Sequence, residues 1–452
     1  MNHIELAKRH RKEGRLAEAA AALRTAVMQD PMNPECWFQG GSLAIKLGDF
    51  AFAKQLFEMC VSVVTSDKEA AYNVGHCSFR LGDPIAAVRS YERALAIDPS
   101  FLRARIALGQ MLYVVGRHEE ASAAFDQALS LPPPASPVDQ ELRALVRVAR
   151  GEFVDGWREF DNQWVAARAA RSPWPIWDGA AAPDATVCLT VDGGFGDTIL
   201  FARYARQIRA RVRRLVAIVQ PDLRRLLETL DGLDAVAGSI DDVAGDIVVS
   251  GFWTLPRKLR STPETIPMTV PYLSPPGSGP VLPQTTKLRA GIAWFGGARC
   301  AHDFDRSCPD LSHLSALFTV PGVEWYDVQP RTARSAEGDR FGIHPLPPVQ
   351  DFGDTAFVLR QMDLVISVDT AVSNLSAALG VPTWIMVPTI PEFRWPIGAS
   401  RSPWYPSARL FRRANTWQWT EVGRAIASDL ATRVETGVDP DLPEYRRWDL
   451  TA

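Results

Sequence analysis

Three short stretches of the 452-residue chain carry residue types and spacings that could do chemistry. DGGFGDT (192–198) sets glycines around Phe195 and ends on Asp197-Thr198. Glycine lets backbone approach a ligand closely, and Asp197 falls where a helix begins. A carboxylate there either caps the helix or serves as a general base. The second stretch is Asp369-Thr370, a polar pair between an apolar run and a helical one. Parallel sheets bind ligands at the carboxyl ends of their strands. A helix N-terminus at that point offers free N–H groups and a positive dipole end, which suit a phosphate. The plainer alternative is that Asp369 only caps the helix. The third stretch is WFGGARCAHDFDRSC (294–308). Asp303 and Asp305, one residue apart, are a pair that can hold a divalent ion. Arg306 follows at once and fits a phosphate contact, while a plain polar loop is the third possibility. Cys300, His302 and Cys308 match no standard zinc spacing.

Several chemistries drop out. There is no P-loop, and DGGFGDT lacks the full dinucleotide fingerprint. Neither an HExxH zinc motif nor a GxSxG nucleophile elbow occurs. With 49 basic and 52 acidic residues the net charge is −3, so nothing calls for a polyanionic partner. The densest basic run, Arg203, Arg206, Arg209, Arg211, Arg213 and Arg214, reads as a solvated face. The six cysteines are scattered; they form no disulfide framework and fit a reducing compartment. The first residues are charged from Glu5 to Arg15 without an apolar signal core, and no run reaches membrane-spanning length. The expectation is a soluble cytoplasmic protein.

The elements that must position these residues differ between the two parts of the chain. In residues 1–135, Gly14, Gly48, Gly82 and Gly116 recur every 34 residues. Ala19, Ala53, Ala87 and Ala121 follow five positions later, and Ala26, Cys60, Ala94 and Ala128 twelve positions later. Glycine in a turn between two helices, with small residues where the helices touch, is the tetratricopeptide pattern. Stacked helix pairs of this kind build a solenoid whose concave face binds peptides or proteins. A degenerate fifth unit after Gly151, containing DGWREFDNQW, reads as the cap. SPWPIWDGAAAPDAT (172–186) is the joint to the next domain.

From Thr186 the period changes. Strands are expected at Val187–Val191, Leu215–Val219, Asp234–Val236 and Ile247–Val249, with a helix at Ile199–Arg209. TVPYLSPPGSGPVLPQTTK (269–287) is a linker. Further strands are expected at Ala290–Phe295, Val323–Val328, Leu364–Val368 and Thr383–Val387. A helix at Ala371–Leu379 ends at Gly380. The last helix, Glu421–Glu435, is expected to pack back across the face between the two α/β domains. Alternating strands and helices imply parallel, Rossmann-like sheets. The fold class is therefore α + α/β. The domains are a solenoid with its cap at 1–165, one Rossmann-like domain at 166–275 and a second at 285–440.

These stretches together resemble bacterial tetratricopeptide-containing glycosyltransferases. GEFVDGWREFDNQW and the residues to Gly179 look like their joint. DGGFGDTILFARY (192–204) and QPDLRRLL (220–227) look like their first catalytic motifs. DFGDTAFVLRQMDLVISVDTAVSNLSAALGVPTW (351–384) and SPWYPSARLFRR (402–413) look like the later ones. The catalytic half is similar to the heptosyltransferase-like group, glycosyltransferase family nine. The resemblance implies a GT-B architecture, a nucleotide-sugar donor bound between two Rossmann-like domains, and no metal or other cofactor. It maps the catalytic base to Asp197 and the donor site to Asp369 and Thr370, with Gly194, Gly196, Arg306 and Asn374 beside them. Two departures stand out. The family commonly has His where this chain has Asn374, and the 294–308 loop lacks a lysine of heptosyltransferases, which Arg299 and Arg306 could replace.

The function expected from this resemblance is an inverting, metal-independent transfer of sugar to a protein acceptor recruited by the repeats. Flagellin or another surface protein is the acceptor suggested by analogy with proteins of this architecture. The alternative, motivated by Asn374, is a protein-binding scaffold with a degenerate catalytic region.

Overall fold

The computed structural model describes residues 2–160, 172–297, 306–329, 333–389, 393–395, 400–413 and 419–440. The chain divides into two compact units, the first ending at Asp139 and the second running from Gln140.

The first unit is the helical repeat array. Its helices are α1 (His3–Lys12), α2 (Leu16–Gln29), α3 (Pro34–Leu47), α4 (Phe50–Val63), α5 (Lys68–Arg80), α6 (Pro84–Ile97), α7 (Leu102–Val114) and α8 (His118–Ser130). Asn33, Asp49, Asp67 and Asp83 cap the starts of α3 to α6 by accepting backbone N–H bonds, which satisfies donors the helix leaves open. The turn glycines Gly14, Gly48, Gly82 and Gly116 all lie at φ between 77° and 83°, a region that penalises any residue with a Cβ. That constraint, repeated in each pair, produces the 34-residue period. The small residues expected at the contacts are buried: Ala53, Ala87 and Ala94 are fully inaccessible.

A second glycine series was not anticipated. Gly41, Gly75 and Gly109 sit inside first helices against Phe57, Tyr91 and Phe125 of the second helices. A Cβ on these glycines would lie 2.8, 2.7 and 2.8 Å from the opposing ring. The ring occupies the space a side chain would take, so glycine and aromatic are exchanged as a pair. The first repeat has the smaller ring-free solution, Ala7 with Leu23, in its own core cluster.

The second unit opens with α9 (Pro137–Ala149), most of which it contains, and a helix whose described part is 153–160, here α10. Gly151 between them repeats the left-handed turn, at φ 82°. Then come β1 (Ala182–Thr190), α11 (Phe195–Ala202), α12 (Ala205–Arg209), β2 (Val212–Ile218), α13 (Arg224–Leu227), β3 (Ala235–Ala237), β4 (Ile247–Gly251) and α14 (Leu255–Lys258). The second sheet begins with β5 (Leu288–Ala293), followed by β6 (Val323–Asp327), β7 (His344–Pro345), α15 (Phe352–Leu359), β8 (Leu364–Val368), α16 (Ala371–Ala378), β9 (Thr383–Val387), β10 (Ala408–Arg412) and α17 (Thr420–Thr436).

Each strand pair is parallel. One sheet runs β3-β2-β1-β4 and the other β10-β9-β8-β5-β6-β7. Read from its β10 edge, the second sheet steps back through β9 and β8 to β5 and then forward through β6 and β7. The first sheet steps back from β3 to β1 and then jumps to β4. The order therefore reverses between β1 and β4 in one sheet and around β5 and β8 in the other. Switch points of this kind open a crevice at the carboxyl ends of the strands.

Three expectations need correction. The helix expected at Ile199–Arg209 breaks at Arg203-Tyr204 into α11 and α12. Arg203 does not belong to a solvated face: it is 4 % exposed. The last helix packs on its own sheet, with Val422, Ile426 and Leu430 in the cluster that contains Ile292, Ile366 and Met386. Gly423 makes that possible, since a Cβ there would meet the backbone of His313 at 3.0 Å.

The degenerate fifth unit is packed into the α/β core. Its Trp157 is 1 % exposed. The ring lies 6.0 Å from Phe201, 6.3 Å from Trp253, 5.6 Å from Phe393 and 6.4 Å from Trp404, all in edge-on arrangements. Edge-to-face packing is a favoured geometry for aromatic pairs. Arg143 and Arg147 of α9 both reach Glu159 of α10, at 2.9 and 3.1 Å. The cap is thus a structural part of the α/β core.

Candidate functional site

Both switch points end in a strand-to-helix turn, and the two turns meet. After β1 the chain passes through Asp192, Gly193 and Gly194 into α11. Gly194 is the N-cap, and Asp197, at the third helical position, accepts the Gly194 N–H at 2.7 Å. Asp192 accepts the N–H of Trp253 at 3.2 Å, tying the end of β1 to the segment after β4. Gly193 is required by contact: a Cβ would lie 2.4 Å from Trp253 Nε1 and 2.6 Å from Asp197 Oδ2.

On the other sheet, β8 ends at Val368 and α16 starts at Ala371 with Thr370 as its N-cap. Ser373 Oγ accepts the Thr370 N–H at 3.1 Å. Thr370, not Asp369, therefore caps this helix. Asp369 is 9 % exposed, and its carboxylate makes no hydrogen bond among the described residues. Gly196 brings α11 and α16 together: a Cβ there would lie 3.7 Å from Ala371 Cα and 3.2 Å from Asn374 Nδ2. The two N-terminal turns are thus neighbours, and each helix end contributes positive potential.

The remaining expected residues fall around this junction. Asn374 is 2 % exposed, donates from Nδ2 to Thr370 O at 2.9 Å and accepts from the Tyr405 hydroxyl at 3.1 Å. Its amide is committed on both sides to the packing of α16. Arg306 follows β5, beside Ser307, whose Oγ accepts the Gly296 N–H at 2.7 Å. It comes after the carboxyl end of the strand next to β8. Arg299, Cys300, His302, Asp303 and Asp305 lie outside the described residues. Among the described residues no group of three or more His, Cys, Asp or Glu could hold a metal. The other five cysteines are free and buried. Burial pushes the Cys188 thiol up to about 11 and that of Cys308 to about 12, so neither is an activated nucleophile.

Three residues were missed from sequence. Arg394 donates from Nη2 to Asp197 Oδ1, and its guanidinium lies 4.3 Å from the Phe393 ring centre and 5.5 Å from that of Trp253. Arg203 donates to Leu200 O at 2.8 Å, to Trp404 O and to the Tyr272 hydroxyl at 3.3 Å. Arg225 clasps the two sheets' helices, reaching Asp351 at 2.7 Å and also Asp354. These hydrogen bonds to Asp351 and Asp354 hold Arg225 above its usual range. Burial opposes the charge on Asp351, but its bond to Arg225 and backbone N–H donors keep that carboxyl below its usual range. The signal for Arg394 was an arginine between two aromatics, Phe393 and Trp395, just past a buried strand.

Comparison with known proteins bears on the first unit most firmly. Tetratricopeptide repeat families match residues 4–61 and 78–146. The chain carries tetratricopeptide repeats. Among curated proteins, Protein FlbA of Caulobacter vibrioides is 24 % identical over 341 residues, covering 66 % of this chain and 56 % of that protein. The chain thus spans just over half the length of that relative. Among solved structures, MamA is 22 % identical over 37 % of this chain and 97 % of its own, with a TM-score of 0.29. TTC0263, a thermophilic TPR protein of Thermus thermophilus, is 17 % identical over 37 % of this chain and 91 % of its own, with a TM-score of 0.33. No helix among the described residues is long and apolar enough to cross a membrane.

Proposed function

We propose that the second unit is an inverting glycosyltransferase of GT-B architecture, and that the repeats recruit its protein acceptor. The observation that carries this reading is the meeting of two switch-point turns, one bearing Asp197 and the other Asp369 and Thr370. Such turns are where α/β sheets take nucleotides. In the proposed reaction the acceptor oxygen attacks the anomeric carbon of the nucleotide sugar. Asp197 takes the hydroxyl proton as the new carbon–oxygen bond forms. The bond from that carbon to the phosphate oxygen breaks, and the electron pair leaves with the nucleoside diphosphate. Arg306 and the N-terminus of α16 stabilise the charge that develops there, so no divalent metal is needed. The acceptor is a protein held by the repeats, with a surface-appendage subunit such as flagellin as the first candidate.

A second reading is favoured by Asn374. Both ends of its amide are used inside the fold, at the position where the resembling family places a histidine. On that reading the second unit is a degenerate region attached to a protein-binding scaffold. Isothermal titration of the full chain with a panel of nucleotide sugars, in EDTA, separates the two. Saturable binding of one donor supports the enzyme; binding of none supports the scaffold.

A further inference from the structure

The carboxylate assigned as base is engaged at both oxygens. Oδ2 accepts the Gly194 N–H, and Oδ1 is paired with Arg394. A carboxylate receives a proton through an oxygen lone pair, and a guanidinium on that oxygen blocks the approach. Arg394 belongs to the other sheet. It follows β9, whose neighbour β8 leads into Asp369. Its backbone is fixed on two sides: Ser402 Oγ donates to Arg394 O at 2.8 Å, and Arg412 of β10 donates to Trp395 O at 2.8 Å. The side chain is held between Phe393 and Trp253. Apolar rings on its faces leave the guanidinium edge as the part that makes polar contacts. An arginine edge matches a phosphate as well as it matches a carboxylate, with two parallel N–H bonds in either case.

Resting on the function proposed above, we propose that Arg394 is a ligand of the donor's diphosphate and that the diphosphate competes with Asp197 for it. Donor binding then does two things at once. It places a permanent positive charge on the leaving group, and it releases Asp197 Oδ1 to accept the acceptor's proton. The acceptor hydroxyl meets a competent base only after the donor is in place, so proton transfer waits for the donor.

The test is titration of the full chain and three variants with UDP, GDP, ADP, CDP and dTDP, and with the corresponding nucleosides. Arg394→Ala weakens the preferred diphosphate at least tenfold and leaves its nucleoside unchanged. Arg394→Lys, which keeps the charge and loses the fork, falls between. Asp197→Ala tightens the diphosphate several-fold, because the competitor for Arg394 is gone. A purely structural ion pair makes the contrary forecast for that variant, with no gain in affinity and a fall in melting temperature. Equal diphosphate affinity of wild type and Arg394→Ala, or unchanged or weakened affinity in Asp197→Ala, overturns the assignment of Arg394 while leaving the glycosyltransferase reading intact. If wild type binds none of the five diphosphates, both fall together.

Discussion

The two units use charged side chains in opposite ways. In the repeats, ion pairs are local or join adjacent helix pairs, and they stay wet: Arg117 with Glu120 three residues on, or Arg103 with Glu69 of the preceding helix pair. Such pairs contribute little, because water screens them. The second unit has pairs that connect distant parts of the chain under cover, including Arg394 with Asp197 at 11 % and 17 % side-chain exposure. Desolvating ions is costly unless their partners are well placed, so such arrangements persist where they organise something. The first unit stands on repeated apolar contacts and left-handed turns. The site proposed for chemistry lies among the long-range charges.

The sharpest way to break this comparison is to remove the aromatic hub. Trp157→Ala should cost about 3–5 kcal/mol by opening a cavity. Thermal unfolding should show the loss in the α/β transition, with the repeat transition unmoved; a shift confined to the repeats would refute the placement of the fifth unit in the α/β core. A fragment beginning at Gln140 keeps Trp157 and should fold and bind donor while losing the protein acceptor. One beginning at residue 161 lacks it and should not fold.

Next in size is Arg203. Replacing it by Met keeps much of the volume and leaves the Leu200 and Trp404 carbonyls without their donor, at about 1–3 kcal/mol for each buried group left unsatisfied. Chemical denaturation should register that as a lower midpoint. A neutral result would return Arg203 to the surface.

In the repeats, Gly75→Ala drives a Cβ into the Tyr91 ring. Overpacking costs about 1–3 kcal/mol, and the better helix propensity of Ala returns about 1 kcal/mol, so the net effect should be a loss near 1 kcal/mol. Pairing it with Tyr91→Leu, the ring-free solution of the first repeat, should recover the loss. The double variant being worse than either single one would contradict the glycine–ring exchange.

The smallest effect is acid sensitivity. Hydrogen bonds from Lys68 and Ser100 hold the Asp98 carboxyl down to about 2. A depressed folded pKa contributes stability that is complete above the unfolded value, about 4, and is lost as pH falls through the folded one. Asp351 acts with the same sign in the second unit. Asp98→Asn should flatten the repeat transition between about pH 4 and 2 and leave its pH dependence above 5 unchanged.

How much was legible from sequence follows the same division. The repeat was plain because each constraint recurs at a fixed distance. β8 and β9 fall where Leu364–Val368 and Thr383–Val387 were expected, since five buried apolar or small residues between turn signals leave little choice. β7 and β10 were missed. β7 has only two residues, both exposed, and in β10 Arg409 and Arg412 interrupt the apolar residues. Asp197 and Asp369 could be singled out because helix starts have a local signature. Their surroundings could not: Arg394 meets a residue 197 positions away and Arg203 one 201 positions away. No local pattern encodes a contact of that span. The basic run misled for the same reason. Charge density along a segment does not reveal that one arginine turns inward toward Tyr272 and Tyr405.

The account rests most directly on Asp197, and the rate of sugar transfer by Asp197→Asn at saturating donor, without divalent metal, tests it. Asn keeps the size of the side chain and an oxygen for the Gly194 N–H but cannot take a proton. The account predicts a fall of about 10²–10⁴ in turnover, roughly 3–5 kcal/mol of barrier, with the chain still folded and still binding donor. An Asn variant that transfers sugar at close to the wild-type rate would contradict it.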